Sequence, residues 1–460
     1  MRPTRWRRST HVVIGVAVLL LVAAVVGVAA VLTTGNSTSD AAPIKPTPPA
    51  ATAKPGVVPV ADSADKPTPD RLTATLAPLV ADPNLGVLAG RITDAMSGAQ
   101  LWAQSADLPM QPASTNKVLT TGAALLALDR DARLTTRVMA GGQPGVVVLK
   151  GGGDPTLSAA PAGQDTWYKG AARISDLADQ VRHSGTQVTT VQVDISAYSG
   201  PTMAPGWDPA DIDGGDIAPM EAVMLDGGRT QPVSAESGRS TTPALDAGRA
   251  LAVALKVDPA RVTVLPSGNA SGQEIASVQS PPLIERLRQM MNESDNVMAE
   301  SIGREVAGVQ NRPQSFDGGV QAVLSQLDKA KIDTGGARLL DSSGLSVDDR
   351  LTAETLDGVV NAAAGTDQPK LRPLLDLLPI AGGSGTLSNR YLDTDAGRAA
   401  AGYLRAKTGS LTGTNSLAGI VTDASGRVLT FAFISNNAGP TGRTAIDALG
   451  AVLRSCGCST

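Results

Sequence analysis

Gln111-Pro-Ala-Ser114-Thr-Asn-Lys117-Val-Leu-Thr-Thr-Gly-Ala-Ala-Leu-Leu-Ala-Leu128 joins a turn to an Ala/Leu-rich run. From Val118 to Leu128 the residues are good helix formers, so a helix is expected there. Ser114 then falls at the helix start, and Lys117 lies one turn on, on nearly the same face. A hydroxyl is a weak nucleophile until a base takes its proton as it attacks. A lysine one turn away can touch the serine oxygen, and it can act as that base if burial or a neighbouring cation lowers its pKa.

Two further clusters follow in order, Ser294-Asp-Asn296 and Lys407-Thr408-Gly409. Ser294 sits in the break between helices expected over Pro282–Met291 and Val297–Val306. It is suited to relay a proton between lysine and leaving amine, and Asn296 to hold a substrate amide. Helix capping is the plain alternative for both, and the two roles can coexist. Lys407 on a strand supplies a cation that would depress Lys117, and with Thr408 it would take a substrate carboxylate. Gly409 would let an acyl chain approach the backbone. The backbone amides of Ser114 and Ser410 would face a developing oxyanion. Similar short strings lie at Ser63 to Lys66, beside Pro67, and in the turn-like run at Ser267 to Asn269. Neither context carries a helix.

Histidine as the base nearly fails by simple arithmetic. The chain has two, His11 beside an apolar run and His183 at an expected helix end, so a Ser-His-Asp triad is not expected. The chemistry needs no cofactor and no metal. Asp208, Asp211, Asp213 and Asp216 lack the EF-hand pattern. Gly151-Gly-Gly-Asp154 lacks the lysine of a phosphate loop. Loop solvation is the expectation for both stretches.

The chain has 460 residues, 18% of them charged, with 39 basic against 43 acidic side chains and a net charge of −4. Four of the arginines (Arg2, Arg5, Arg7, Arg8) lie in residues 1–11, so the rest is more acidic still, which excludes a nucleic-acid partner. After this basic tail, residues 12–32 carry no charge and would span about 31 Å as a helix at about 1.5 Å per residue. The expectation is a single-pass signal-anchor with the body outside the cytoplasm; if the segment is cleaved, the protein is secreted. Residues 33–72 are a Pro/Ala-rich linker.

Beyond it, strands are expected within Leu85–Gln104 around a turn at Met96-Ser-Gly98, and later at Leu404–Gly409, Ser416–Thr422 and Val428–Ser435. A closing helix is expected at Arg443–Leu453. Residues 73–138 and 279–455 therefore read as two parts of one catalytic domain. Residues 139–278 read as an inserted domain projecting from it, with strands at Val146–Leu149 and Val188–Ile195 and a helix at Ile174–Val181. Residues 456–460, with Cys456 and Cys458, are a tail.

The three clusters in this order form one known set. The chain resembles class C, low-molecular-mass penicillin-binding proteins, the D-alanyl-D-alanine carboxypeptidase/endopeptidase family. The likeness covers roughly residues 75 to 455. It extends to Gly151-Gly-Gly-Asp-Pro-Thr-Leu157, Pro205-Gly-Trp207, Asp341-Ser-Ser-Gly-Leu-Ser346, the stretch Leu378 to Leu387, and Ala406 to Gly413. The family's serine, lysine, serine, asparagine and lysine fall on Ser114, Lys117, Ser294, Asn296 and Lys407.

The resemblance implies an α+β serine DD-peptidase/β-lactamase-like fold, an antiparallel sheet flanked by helices with an inserted second domain. It implies cleavage of D-Ala-D-Ala in peptidoglycan stem peptides, DD-endopeptidase cleavage by the same residues, and covalent binding of β-lactams. The insert is short for the family. A weakly active penicillin-binding sensor or wall scaffold, and a β-lactamase, stay open as rival readings.

Overall fold

The computed structural model describes residues 64–265 and 272–455. The expected anchor at residues 12–32, most of the linker, and Cys456 and Cys458 lie outside the described residues. Helix α1 (Pro69–Val80) begins a few residues before the expected end of the linker. Pro69 suits a first helical turn because its missing N–H has no partner there in any case.

Strands β1 (Val87–Asp94) and β2 (Gln100–Gln104) form the first hairpin. Helix α2 (Lys117–Ala127) follows. The chain then leaves for a second sheet and returns only near its end, with β8 (Leu404–Leu411), β9 (Thr414–Thr422) and β10 (Val428–Asn436). The resulting five-stranded sheet has the order β2-β1-β10-β9-β8 and is antiparallel throughout.

Period-two alternation decides what each face buries. Phe431 and Phe433 of β10 pack under α1 and the closing helix α9 (Gly442–Ser455), with Leu72, Leu76, Ile446 and Leu449. Their neighbours Ala432 and Ile434 face the opposite core. There α2 meets α5 (Leu283–Glu293), α6 (Asn296–Val309), α7 (Phe316–Lys329) and α8 (Ala353–Ala364).

The second sheet has the order β6-β5-β4-β3-β7. It runs through β3 (Thr135–Ala140), β4 (Val146–Lys150), β5 (Thr190–Asp194), β6 (Thr263–Leu265) and β7 (Glu274–Gln279). The pairs β4/β5 and β5/β6 are parallel. Such pairing needs crossovers, and helices α3 (Ile174–His183) and α4 (Pro243–Ala254) supply them. Leu177, Val181, Ala247 and Leu251 cover Val147, Leu149, Val191 and Val193.

The insert does more than project. Its stretch after β5 comes back to the helices of the first domain, where Trp207, Ile212 and Met220 share a core with Val297 and Phe316. Nor is Asp154 a solvated loop residue. It is buried, its Oδ1 accepts from the N–H and hydroxyl of Thr156, and the adjacent Gly153 carbonyl accepts from Ser301 Oγ at 2.7 Å. The Gly-rich loop is thus part of the seam between the two domains.

Candidate active site

Ser114 lies in a 3-10 turn, Ala113–Asn116, that runs into α2. Ala113 before it has φ +49°, a left-handed conformation that costs a non-glycine residue free energy and survives only where the surroundings enforce it. Thr115 fixes the turn by donating to the Pro112 carbonyl at 2.7 Å. The three-residue spacing then stacks Lys117 beneath Ser114. The lysine is fully buried, while the serine stays partly open to solvent.

Lys117 Nζ donates to Ser114 Oγ at 2.9 Å, to Asn296 Oδ1 at 2.6 Å and to the Ser343 carbonyl at 2.8 Å. Those acceptors use all three hydrogens of an ammonium. Burial pulls its pKa down to about 8, against the opposing charges of Asp341, Asp295, Glu300 and Asp216.

Ser294 terminates α5 with φ +58°. Asp295 then caps α6 by accepting from Met298 N at 3.0 Å. Ser294 is thus the C-cap of α5, its N–H donating to the Met290 carbonyl, and the N-cap of α6 falls to the acid between Ser294 and Asn296. Asn296 is bonded at both ends of its amide: Oδ1 accepts from Lys117, and Nδ2 donates to the Asp216 carbonyl of the insert at 2.9 Å.

Lys407 is also fully buried. Its Nζ donates to Ser294 Oγ at 2.9 Å and to the Thr408 carbonyl at 2.8 Å. Burial, then the charges of Lys117 and Arg390, push its pKa well below the usual lysine value. Of the two causes expected to lower Lys117, burial acts and the cation does not. Desolvation, rather than the Lys407 cation, depresses Lys117, and Lys117 is one of the charges depressing Lys407.

Gly409 is also needed for a reason beyond the one expected. A Cβ there would lie 2.2 Å from Ser416 Oγ and 2.8 Å from the Pro112 carbonyl. Its bareness lets the strand pass the serine turn.

The strand β8 is an edge of its sheet. On its outer side Ala406 N donates to Pro379 O and Leu404 O accepts from Ala381 N. Backbone groups alternate sides along a strand, so Thr408 and Ser410 face the same outer side as Leu404 and Ala406. Past Ala406 that edge forms a wall of a cleft of about 570 Å³, lined also by Ser114, Ser294 and Asn296.

Sequence reading missed several residues here. Asp211, Asp216, Arg390 and Arg443 line the cleft, and Thr386 Oγ1 lies 2.8 Å from Thr408 Oγ1. Partial desolvation at the cleft raises the pKa of Asp211 and Asp216, while Asp208, Asp213 and Asp216 are exposed, in keeping with a solvated loop. A larger groove of about 710 Å³, by Arg91, Lys331 and Glu354, contains none of the three clusters. His183 ends α3 in the insert and is exposed. Among the described residues no group of three or more His, Cys, Asp or Glu side chains is placed to hold a metal ion.

The Asp341–Ser346 stretch, with Trp207, buttresses Lys117. Asp341 Oδ1 accepts from the N–H groups of Ser343 and Gly344, and its Oδ2 accepts from Ser346 N and, at 2.8 Å, from Trp207 Nε1. Glu300 Oε1 accepts from Ser342 N at 2.9 Å. These bonds aim the Ser343 carbonyl at the lysine. Gly344, at φ +80°, passes so close that a Cβ would fall 1.9 Å from the Ala113 carbonyl. Burial, then the Asp341 charge, raise Glu300 to about 7 against Arg304.

Residues 72–238 and 233–455 match the D-Ala-D-Ala carboxypeptidase 3 (S13) family, and residues 1–59 match a domain described as Carboxypeptidase Rv3627c-like, N-terminal domain. The chain is 75% identical over 459 residues to Carboxypeptidase DacB of Mycolicibacterium smegmatis, covering 100% of both chains. It is 65% identical over 462 residues to Carboxypeptidase Rv3627c of Mycobacterium tuberculosis, again covering 100% of each. Among solved structures, penicillin binding protein 4 (dacB) from Haemophilus influenzae shares the fold, with a TM-score of 0.67 at 24% identity over 84% of this chain and 98% of that one.

Proposed function

The chain belongs to the D-Ala-D-Ala carboxypeptidase 3 (S13) family and is a serine-type D-Ala-D-Ala carboxypeptidase, and from that premise we propose how its own residues carry the reaction. The stem peptide lies along the outer edge of β8. Its terminal carboxylate meets Lys407 and Thr408, and its scissile carbonyl oxygen meets the amides of Ser114 and Ser410. Ser114 Oγ attacks the carbonyl carbon while Lys117 takes the hydroxyl proton. Ser294, bonded to Lys407, relays that proton from Lys117 to the departing amine, and D-Ala leaves. Water then resolves the acyl-enzyme. The Asn296 amide group carries two hydrogens, so one is left for the substrate while the other stays on Asp216.

The observation that carries this reading is the contact of Lys117 Nζ with Ser114 Oγ at 2.9 Å, inside a buried site that pulls the amine toward neutrality. β-Lactams enter as amide mimics and acylate the same serine. A cross-linked stem peptide presents the same D-Ala carbonyl, so endopeptidase cleavage uses the same residues. The uncharged run at residues 12–32 after four arginines supports a single membrane anchor holding the body outside the cytoplasm.

Incubation of purified protein with a muropeptide pentapeptide tests the assignment. Loss of one D-Ala per peptide is expected from wild type and none from Ser114→Ala. Acylation by penicillin with no peptide turnover would favour the sensor reading, and rapid penicillin hydrolysis the β-lactamase reading.

A further inference from the structure

The insert reaches the Ser294-Asp-Asn296 junction at a second place besides Asp216. Tyr168 belongs to the segment between β4 and α3, yet it is fully buried and its hydroxyl donates to Asp295 Oδ2 at 2.7 Å. The segment is tied down beside it by Gln289 of α5, whose Nε2 donates to the Trp167 carbonyl at 2.8 Å and whose Oε1 accepts from Lys169 N at 3.3 Å. Arg229 stacks on the Trp167 ring, 3.7 Å from its centroid.

Arg239 joins the two contacts. Its Nε donates to the Gly215 carbonyl at 2.9 Å and its Nη1 to the Gly227 carbonyl at 2.5 Å. Gly215 precedes the Asp216 carbonyl that holds Asn296, and Gly227 lies against Tyr168. At φ +64°, a Cβ on Gly227 would stand 2.4 Å from the Tyr168 hydroxyl and 2.7 Å from Arg239 Nη1. Ser294 itself is held in a left-handed conformation, the kind of backbone that persists only when its neighbours over-determine it.

We propose that Tyr168 is a positioning residue for the reaction: its bond to Asp295, with Arg239 and Gly227 behind it, lets the inserted domain set Ser294 and Asn296 against the two lysines. Tyr168 does not line the cleft, so it acts through Asp295 rather than on the substrate. The insert thereby completes the second catalytic cluster, which the first domain supplies in sequence but does not lock by itself. This rests on Ser294 and Asn296 working as proposed above.

The test compares Tyr168→Phe with wild type on the pentapeptide, with rates divided by active sites titrated to completion with labelled penicillin. A hydrogen bond to a charged group is strong enough that kcat per titrated site should fall about tenfold, with KM changed less than about twofold. A purely structural loss would reduce the number of titrated sites and leave kcat per site unchanged. Gly227→Ala crowds the same hydroxyl from the far side and should give the same split between kcat and KM. In Tyr168→Phe the hydroxyl is gone, so adding Gly227→Ala should cost less in kcat per titrated site than it does in wild type, while the contact with Arg239 and the strain at φ +64° remain in both. Tyr168→Phe within twofold of the wild-type kcat, or fully additive losses, overturns the proposal. If Tyr168→Phe does not fold, Gly227→Ala alone decides: an unchanged kcat per titrated site overturns it. Ser114→Ala is run alongside. Turnover surviving that change defeats the catalytic assignment, whereas a dead Ser114→Ala with an unaffected Tyr168→Phe defeats only the clamp.

Discussion

Ser114 is set by its own turn and the helix that follows, whereas Ser294 and Asn296 are braced by Tyr168 and Asp216 from a domain built on another sheet. The first arrangement is local: one helical turn brings Lys117 under Ser114, and the fold then only has to bury the lysine. The second is assembled from distant parts of the chain and depends on how the insert seats. Damage to the local pair should therefore remove chemistry outright, and damage to the buttresses should reduce it by degrees.

The sharpest break of the local pair is Lys117→Arg. Arginine keeps the charge but stays protonated throughout the working pH range, so no neutral base remains. Penicillin acylation per folded molecule should fall by at least about a hundredfold, and the larger guanidinium should cost about 1–3 kcal/mol of stability in the packed site. Stopped-flow labelling measures the rate, and a loss within threefold would make Lys117 a structural residue.

The next effect is the pH dependence of the wild type. With its pKa drawn down to about 8, Lys117 is mostly charged below that pH and mostly neutral above it. Acylation should drop about tenfold per pH unit below 8 and level off above it.

Glu300 sharpens the comparison further, since it belongs to the buttress and acts on the local pair by charge. Its pKa of about 7 leaves it ionised where acylation levels off, and its charge holds Lys117 up. In Glu300→Gln the acid limb should move to lower pH, by less than about one unit. A shift to higher pH would contradict the electrostatic assignment.

The smallest effect on activity is expected of Trp207→Phe. The ring stays against Phe316, whose centroid lies 5.0 Å away, but Asp341 loses one of its donors. Thermal or denaturant unfolding should show about 1–3 kcal/mol of lost stability. Turnover per titrated site should stay within about threefold.

The same contrast explains what could be read from sequence. The three clusters were legible because each obeys local rules: a helix start at Ser114, a break between helices at Ser294, an alternating strand at Lys407. The strands of the first sheet and the helices over Leu283–Glu293 and Asn296–Val309 were legible from period for the same reason. Asp216 and Trp207 lay in a Gly/Pro-rich acidic stretch with no period, and nothing local says that such a stretch returns to line a cleft. The second demand on Gly409 was not legible because its steric partners, Pro112 and Ser416, come from elsewhere in the chain. Burial of Lys117 was expected alongside tuning by its fellow lysine, yet the balance between that burial and four carboxylates exists only in the folded site.

The central claim, that Ser114 activated by Lys117 forms the acyl-enzyme, is tested most directly by mapping the adduct. Protein saturated with penicillin is digested, and the peptides are sequenced by mass spectrometry. The account predicts one penicilloyl group on the peptide containing Ser114, and no adduct in Ser114→Ala. An adduct on Ser294 or any other residue, or labelling that survives Ser114→Ala, would contradict it.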